Sequence, residues 1–319
     1  MSVVVPTRNR AASLDRLLES LAAQDGAPRF DVVVIDDAST DGTADVLVRW
    51  AGRDDLDVRA LALDRNGGPA VARNLGWRAT AAPIVCFTDD DCAPRPSWVA
   101  ALAGAAGTAD IAQGRTIPAP AQAHQRGPFS HTMDVPHEDG HYATCNVAYR
   151  REVLDRVDGF DEAFRRPYGE DTDLAWRAIA AGATTAFVPE ALVEHDVRPS
   201  SVGSHLADLG RRDGLVLAIA KHPGLRARLP YRGYARPTHV PLAALLGTVA
   251  VWGFEPSEPW RVLLLVAATG WYAATCRRER PAPASRWRWI PTLPLAVVAD
   301  LLEVGVLLVA SVRHRAVVL

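Results

Sequence analysis

The chain has 319 residues, with 35 Lys or Arg against 37 Asp or Glu and a formal net charge of −2, which excludes an overall basic nucleic-acid binder. Hydrophobic residues at 49% and charged residues at 23% exclude a disordered chain, and the length allows one large domain, or a domain of roughly 220–240 residues plus an appendage. Four cysteines without a C-x-x-C pair exclude a disulfide scaffold or a zinc ribbon and fit a reducing compartment.

Met1 is followed at once by Val3-Val4-Val5-Pro6-Thr7, without the basic and apolar regions of a secretory leader, so the N-terminal part is expected in the cytosol. Val3–Val5 reads as a buried strand. Leu14, Leu17, Leu18 and Leu21 recur at helical spacing, with Ser13 as the expected N-cap. Val32–Ile35 is a second buried strand, closed by turn residues from Asp36 to Gly42. A helix from Ala44 to Trp50 and a strand from Val58 to Leu63 follow. Gly67-Gly68-Pro69 opens a helix through Ala79, and Pro83–Phe87 is a fourth strand ending in Asp89-Asp90-Asp91. Strands alternating with helices predict an α/β domain with a mostly parallel central sheet, helices on both faces, and ligands at the carboxyl ends of the strands. Both acidic clusters fall at such ends.

Residues 115–142, rich in Pro, Ala, Gln and His, predict a long loop beside the site. Regular structure is expected to resume near Cys145, with a helix over Thr172–Ala181 stopped by Gly182 and a strand over Thr184–Val188. The last 80 residues carry three apolar stretches, at 240–254, 261–276 and 290–312. A short acidic link, Glu255-Pro256-Ser257-Glu258-Pro259, separates the first two, whose outer flanks are rich in arginine. That asymmetry predicts a membrane hairpin with both ends in the cytosol, against a buried hairpin of a soluble domain. In the third stretch Asp300 and Glu303 share a helix face. They leave open a simple span, an interfacial helix, or a span whose acidic face packs on its neighbours. The expected domains are 1–225, catalytic, and 226–319, membrane-associated helices.

Each chemical element, taken singly, has an ordinary explanation. Asp89-Asp90-Asp91 is a solvated acidic turn, or a mutually repelling cluster that a hard divalent cation would relieve. Asp36-Asp37 could accept from a base or a ribose. Arg73, one turn inside the helix opened by Gly67-Gly68, is a surface arginine or a contact to phosphate or carboxylate. Glu170-Asp171 fits a helix N-terminus, or a base for an acceptor hydroxyl. His195 alone is most simply a structural histidine.

In their order along the chain these pieces are more specific. Val5-Pro6-Thr7-Arg8-Asn9-Arg10, Val34–Thr43, Asn66-Gly67-Gly68 with Ala72-Arg73-Asn74, Asp89-Asp90-Asp91, Gly159-Phe160-Asp161-Glu162 and Glu170–Leu174 together resemble a family 2 glycosyltransferase with the Rossmann-like GT-A fold, over roughly residues 2–200. The resemblance implies an inverting glycosyltransferase. Thr7 and Asp37 would hold the nucleotide base, with Arg73 near base and phosphates. Asp89 and Asp91 match Asp-x-Asp, Asp91 being the metal ligand, joined by His195, and the cofactor is Mn²⁺ or Mg²⁺. Asp171 would be the general base, with Glu170 shaping the acceptor site and Asn146 on the acceptor side. Arg211 and Arg212 would reach the diphosphate or serve as juxtamembrane charge.

The Gln-x-x-Arg-Trp element of processive synthases is missing near Leu206–Leu215, which points to single or limited sugar addition. The implied partners are a nucleotide-diphosphate sugar donor, a glycan or polyprenyl-linked acceptor and the cytoplasmic membrane, with the catalytic domain facing the cytoplasm and no nucleic acid. The alternatives are a polyprenyl-phosphate glycosyltransferase making a lipid-phosphate sugar carrier, and a non-catalytic nucleotide-sugar-binding membrane scaffold.

Overall fold

The structure is a computed structural model and describes residues 1–127, 129–252, 259–279 and 292–319. The chain forms two compact units, 1–120 with 132–196, and 121–131 with 197–319. The expected boundary at 225 thus falls inside the second unit.

In the first unit eight strands form one sheet in the order β3-β2-β1-β4-β7-β6-β8-β5. They are β1 (Ser2–Thr7), β2 (Asp31–Asp36), β3 (Asp57–Ala62), β4 (Ile84–Phe87), β5 (Cys92–Pro94), β6 (Ile111–Pro118), β7 (Val147–Arg150) and β8 (Thr185–His195). Four of the seven pairings are parallel, β1 with β2 and β4, β2 with β3, and β6 with β8. β7 runs antiparallel to β4 and β6, and β5 antiparallel to β8.

The helices are α1 (Ala11–Ala22), α2 (Thr43–Ala51), α3 (Pro69–Arg78), α4 (Trp98–Ala105), α5 (Arg151–Val157) and α6 (Glu170–Ala180). The period of two along the strands sorts side chains into two cores. Val3, Val5, Val32 and Val34 pack with Leu14, Leu17, Leu18, Leu21, Trp50 and Trp98 on one face. Val4, Val33, Ile35, Val85 and Phe87 pack with Trp77, Tyr149, Phe160 and Leu174 on the other. Each fully buried leucine of α1 contributes about 2 kcal/mol. Gly76 lets α3 lie against the sheet, since a Cβ there would come within 2.4 Å of Val4 Cγ1 and 2.6 Å of Ile35 Cδ1.

Two local expectations are corrected. α1 starts at Ala11, so Ser13 is not its N-cap. The amides at its start are taken up by the loop after β2 and the start of α2, Asp41 accepting from Ala11 and Thr43 Oγ1 from Arg10, both at 3.3 Å. Residues 115–118 belong to β6 rather than to the predicted loop, whose remainder includes a 3₁₀ turn over Pro120–Gln125.

The second unit holds α7 (Val202–Leu209), α8 (Asp213–Lys221), α9 (His239–Trp252), α10 (Pro259–Glu279) and α11 (Leu293–His314). The acidic link at 255–258 and the arginines at 280, 286 and 288 lie outside the described residues. α11 is the one described helix long and apolar enough to cross a membrane. Its 22 residues reach about 33 Å, against a hydrocarbon core of about 30 Å. Asp300 and Glu303 do not face outward. Tyr272 on α10 donates to Asp300 Oδ2 at 2.8 Å, and Glu303 pairs with the Nε atoms of Arg212 and Arg236, each at 2.7 Å. Arg212 and Arg211, the latter paired with Asp208 at 2.8 Å, are thus held within this unit.

Candidate active site at the strand carboxyl ends

The carboxyl ends of β1, β2 and β4 place Thr7, Asp36-Asp37 and Thr88–Asp91 at one edge of the sheet, where open α/β sheets bind ligands. Asp91 and His195, 104 positions apart, meet because β5 and β8 pair antiparallel with Cys92 opposite His195. His195 Nε2 lies 3.4 Å from Asp91 Oδ1. His195 Nδ1 donates to the Asp196 carbonyl at 2.9 Å, so in the neutral imidazole the Nε2 lone pair faces the carboxylate. Two acceptor atoms in that arrangement suit a shared cation. Cys92 Sγ lies with them, and the three ligand atoms are within 4.8 Å of one another. A carboxylate oxygen with an imidazole nitrogen fits Mn²⁺ better than the all-oxygen surroundings Mg²⁺ prefers.

The acidic triplet divides its work. Asp90 is buried and accepts from Thr7 Oγ1 at 2.8 Å. Burial pushes it up to about 7 against the pull of Arg10. Arg10 Nη1 lies 3.0 Å from Asp91 Oδ2 and 3.7 Å from Asp90 Oδ1. Asp89 accepts from Arg73 Nη2 at 2.7 Å, and the other arm of that buried guanidinium donates to Glu170 Oε1 at 2.9 Å. Arg73 therefore joins the end of β4 to the start of α6. Burial works against its charge, but Asp89 and Glu170 hold its pKa above the ordinary arginine value.

Asp171 stands at the first turn of α6, accepting from its neighbour Thr172 N at 2.8 Å. Helix-dipole stabilisation at such a position favours the carboxylate. Desolvation by the surrounding protein outweighs it, reinforced by Glu170 alongside and opposed by Arg73, and Asp171 is pushed up to about 7. A carboxylate poised there is matched to proton abstraction at neutral pH. Glu170 is buried and spent on Arg73 and on the Tyr168 amide, at 2.7 Å, so it acts on Asp171 by charge and position rather than by lining an open acceptor surface.

Thr7 points at Asp90. Asp37 accepts from the amides of Gly67 and Gly68 at 2.6 and 3.0 Å, tying the β2 end to the α3 entry, where Gly68 takes a φ of +86°. Arg73 directs both arms at carboxylates. Asn146 does not line an acceptor surface. It is buried, accepts from Trp98 Nε1 at 2.8 Å, and donates to the carbonyls of Arg115 and Ala191 at 2.8 Å each, a core role. Arg10 and Cys92 are the members sequence reasoning did not assign. Arg10 closes the Val5–Arg10 motif, but nothing local shows which carboxylate it meets.

Residues 2–158 match the family described as Glycosyl transferase family 2, and residues 127–197 match the N-terminal domain of galactosyltransferase. A "Pre-mycofactocin glycosyltransferase" of Mycobacterium tuberculosis is 30% identical over 259 residues, 74% of this chain and 51% of that protein. A "Validoxylamine A glucosyltransferase" of Streptomyces hygroscopicus is 33% identical over 227 residues, 57% of this chain and 48% of the other. The chain thus spans about half the length of these curated relatives. Among solved structures, the mannosyltransferase PcManGT from Pyrobaculum calidifontis, in complex with GDP-Man and Mn²⁺, matches with a TM-score of 0.55 and 22% identity, over 98% of this chain and 86% of that one. S. aureus TarS 1–349 with UDP-GlcNAc matches with a TM-score of 0.55 and 20% identity, over 99% and 92%. The fold is GT-A-like, and the match to glycosyltransferase family 2 runs over residues 2–158.

Proposed function

We propose that this chain, carrying a glycosyltransferase family 2 domain, moves a sugar with inversion from a nucleoside-diphosphate donor to a hydroxyl of a glycan or lipid-linked glycan acceptor. One observation carries the reading: the buried Arg73 guanidinium joins Asp89, beside the Asp91–His195 pair, to Glu170, beside Asp171. A leaving-group side and a base side are thereby held in one frame. Asp171 takes the acceptor proton as the hydroxyl attacks the anomeric carbon opposite the departing diphosphate. Arg73 and Glu170 tune the proton affinity of Asp171 in opposite directions. Alignment of the two substrates in that frame supplies much of the rate. Asp91 and His195 would hold a divalent cation, which supplies charge neutralisation of the diphosphate when bound. Thr7 and Asp37, at the ends of β1 and β2, would receive the nucleoside. The relatives' names support glycosyl transfer, and the GDP-Man and Mn²⁺ of the Pyrobaculum structure support a nucleotide sugar and a metal.

The second unit is read as the attachment to the cytoplasmic membrane, with the catalytic unit facing the cytoplasm. α10 exposes Val262, Leu263, Leu264, Val266 and Trp271 along most of its circumference. α11 exposes Leu295, Val298, Leu301, Leu302, Leu308, Val309 and Val312. Arg277 and Arg278 close α10, as a cytoplasmic flank requires.

The test is release of nucleoside diphosphate from a panel of UDP-, GDP- and dTDP-sugars by the detergent-solubilised full chain. One donor is expected to be turned over, with Asp171→Asn slower by about 10²–10⁴-fold. Turnover of none, or equal turnover by Asp171→Asn, would sink the assignment.

A further inference from the structure

We propose that Arg10 is a stand-in counter-ion for Asp91, which makes cation binding at Asp91 and His195 conditional on a diphosphate; this rests on the metal reading of that pair. The two arginines at the acidic triplet differ in kind. Arg73 is 5% exposed and fixed between two carboxylates at 2.7 and 2.9 Å. Arg10 is 27% exposed, and among the described residues its guanidinium pairs with the carboxylates of the triplet, at 3.0 Å from Asp91 and 3.7 Å from Asp90. It reaches Asp91 Oδ2, while His195 Nε2 faces Asp91 Oδ1. One carboxylate thus serves the guanidinium with one oxygen and the candidate cation site with the other.

A divalent cation on Asp91 meets twice the repulsion from Arg10 that a single positive charge would. Without a further anion, guanidinium and cation compete for the same carboxylate. With a diphosphate present the competition ends. The β1–α1 loop that carries Arg10 lies at the carboxyl end of β1, and phosphate oxygens there offer the planar guanidinium a charge-assisted partner in place of Asp91. The backbone need not move, because the Arg10 amide stays on Thr43 Oγ1. Cation and diphosphate then bind with positive coupling, and Arg10 sets part of that coupling.

The experiment titrates Mn²⁺ alone into the solubilised full chain, reading free Mn²⁺ by electron paramagnetic resonance, for wild type, Arg10→Gln, Arg10→Ala and Asp91→Asn. Each titration is repeated with saturating UDP or GDP, and circular dichroism checks folding. The two Arg10 variants are expected to bind Mn²⁺ alone about tenfold tighter than wild type, and to show a smaller gain from the nucleotide. Asp91→Asn is expected to lose the site. Equal Mn²⁺ affinity in wild type and a folded Arg10 variant, with Asp91→Asn still defective, overturns the proposal and leaves the metal reading standing. Mn²⁺ binding by no variant, with or without nucleotide, overturns both. If neither Arg10 variant folds, Mn²⁺ binding to wild type that is unchanged by either nucleotide overturns the proposal.

Discussion

Asp171 reaches about 7 through two opposing influences, desolvation with the Glu170 charge on one side and Arg73 on the other. The pH dependence of turnover follows. The base must be ionised, so the rate is expected to climb about tenfold per pH unit below 7 and to level above it. Asp171→Asn removes that limb. Arg73→Gln takes away the group that favours the Asp171 carboxylate, so the midpoint is expected to move to higher pH while kcat falls. A midpoint that stays in place would separate Arg73 from the base. A lysine cannot replace it, since a single ammonium does not span Asp89 and Glu170 as the planar fork does. At this scale the sequence singled out Asp91, His195, Arg73 and Asp171 but misjudged how some other side chains are spent. Asn146 is the plainest case. Its neighbours Trp98, Arg115 and Ala191 come from three distant segments, so no local pattern shows that its amide is used up in the core.

Elements were legible where burial has a period. Val3–Val5, the Leu14–Leu21 stripe and Val32–Ile35 are β1, α1 and β2 because a continuous β-branched run or a 3.6-residue repeat is visible in the residues themselves. β6 was missed because Gln113, Gly114, Arg115 and Thr116 interrupt any apolar alternation, and its strand form comes from pairing with β8. β5 is three residues long and exists through the same strand. Close packing gives one expectation here. Gly76→Val would drive methyl groups into Val4 and Ile35, costing about 1–3 kcal/mol or more in denaturant unfolding. Unchanged stability would mean that α3 sits farther from the sheet. In the second unit, Glu303→Gln breaks pairs to Arg212 and Arg236. A loss of about 3 kcal/mol is expected, at the low end for a buried pair because both arginines keep some exposure. A melting temperature in detergent equal to wild type would contradict the ion-paired face of α11.

At the scale of the whole chain, the order of motifs carried more than any motif alone. Acidic clusters at strand ends are common, yet their sequence across residues 2–200 pointed to the GT-A fold that the sheet displays. The apolar C-terminal stretches were located within a few residues of α9, α10 and α11. Their acidic pair was ambiguous because its partners, Arg212, Arg236 and Tyr272, are scattered over three segments. Flotation of the full chain with vesicles containing anionic lipid, and its loss on truncation after residue 225, would test the attachment. Equal flotation of the truncated chain would contradict it. The central claim is a metal-assisted nucleotide-sugar site on Asp91 and His195. Calorimetry with UDP, GDP and dTDP, each with and without Mn²⁺, on wild type and Asp91→Ala, tests it most directly. The account predicts that one nucleotide binds, that Mn²⁺ strengthens it, and that Asp91→Ala loses the strengthening. Nucleotide binding indifferent to both Mn²⁺ and Asp91, or no binding of any nucleotide, would contradict it.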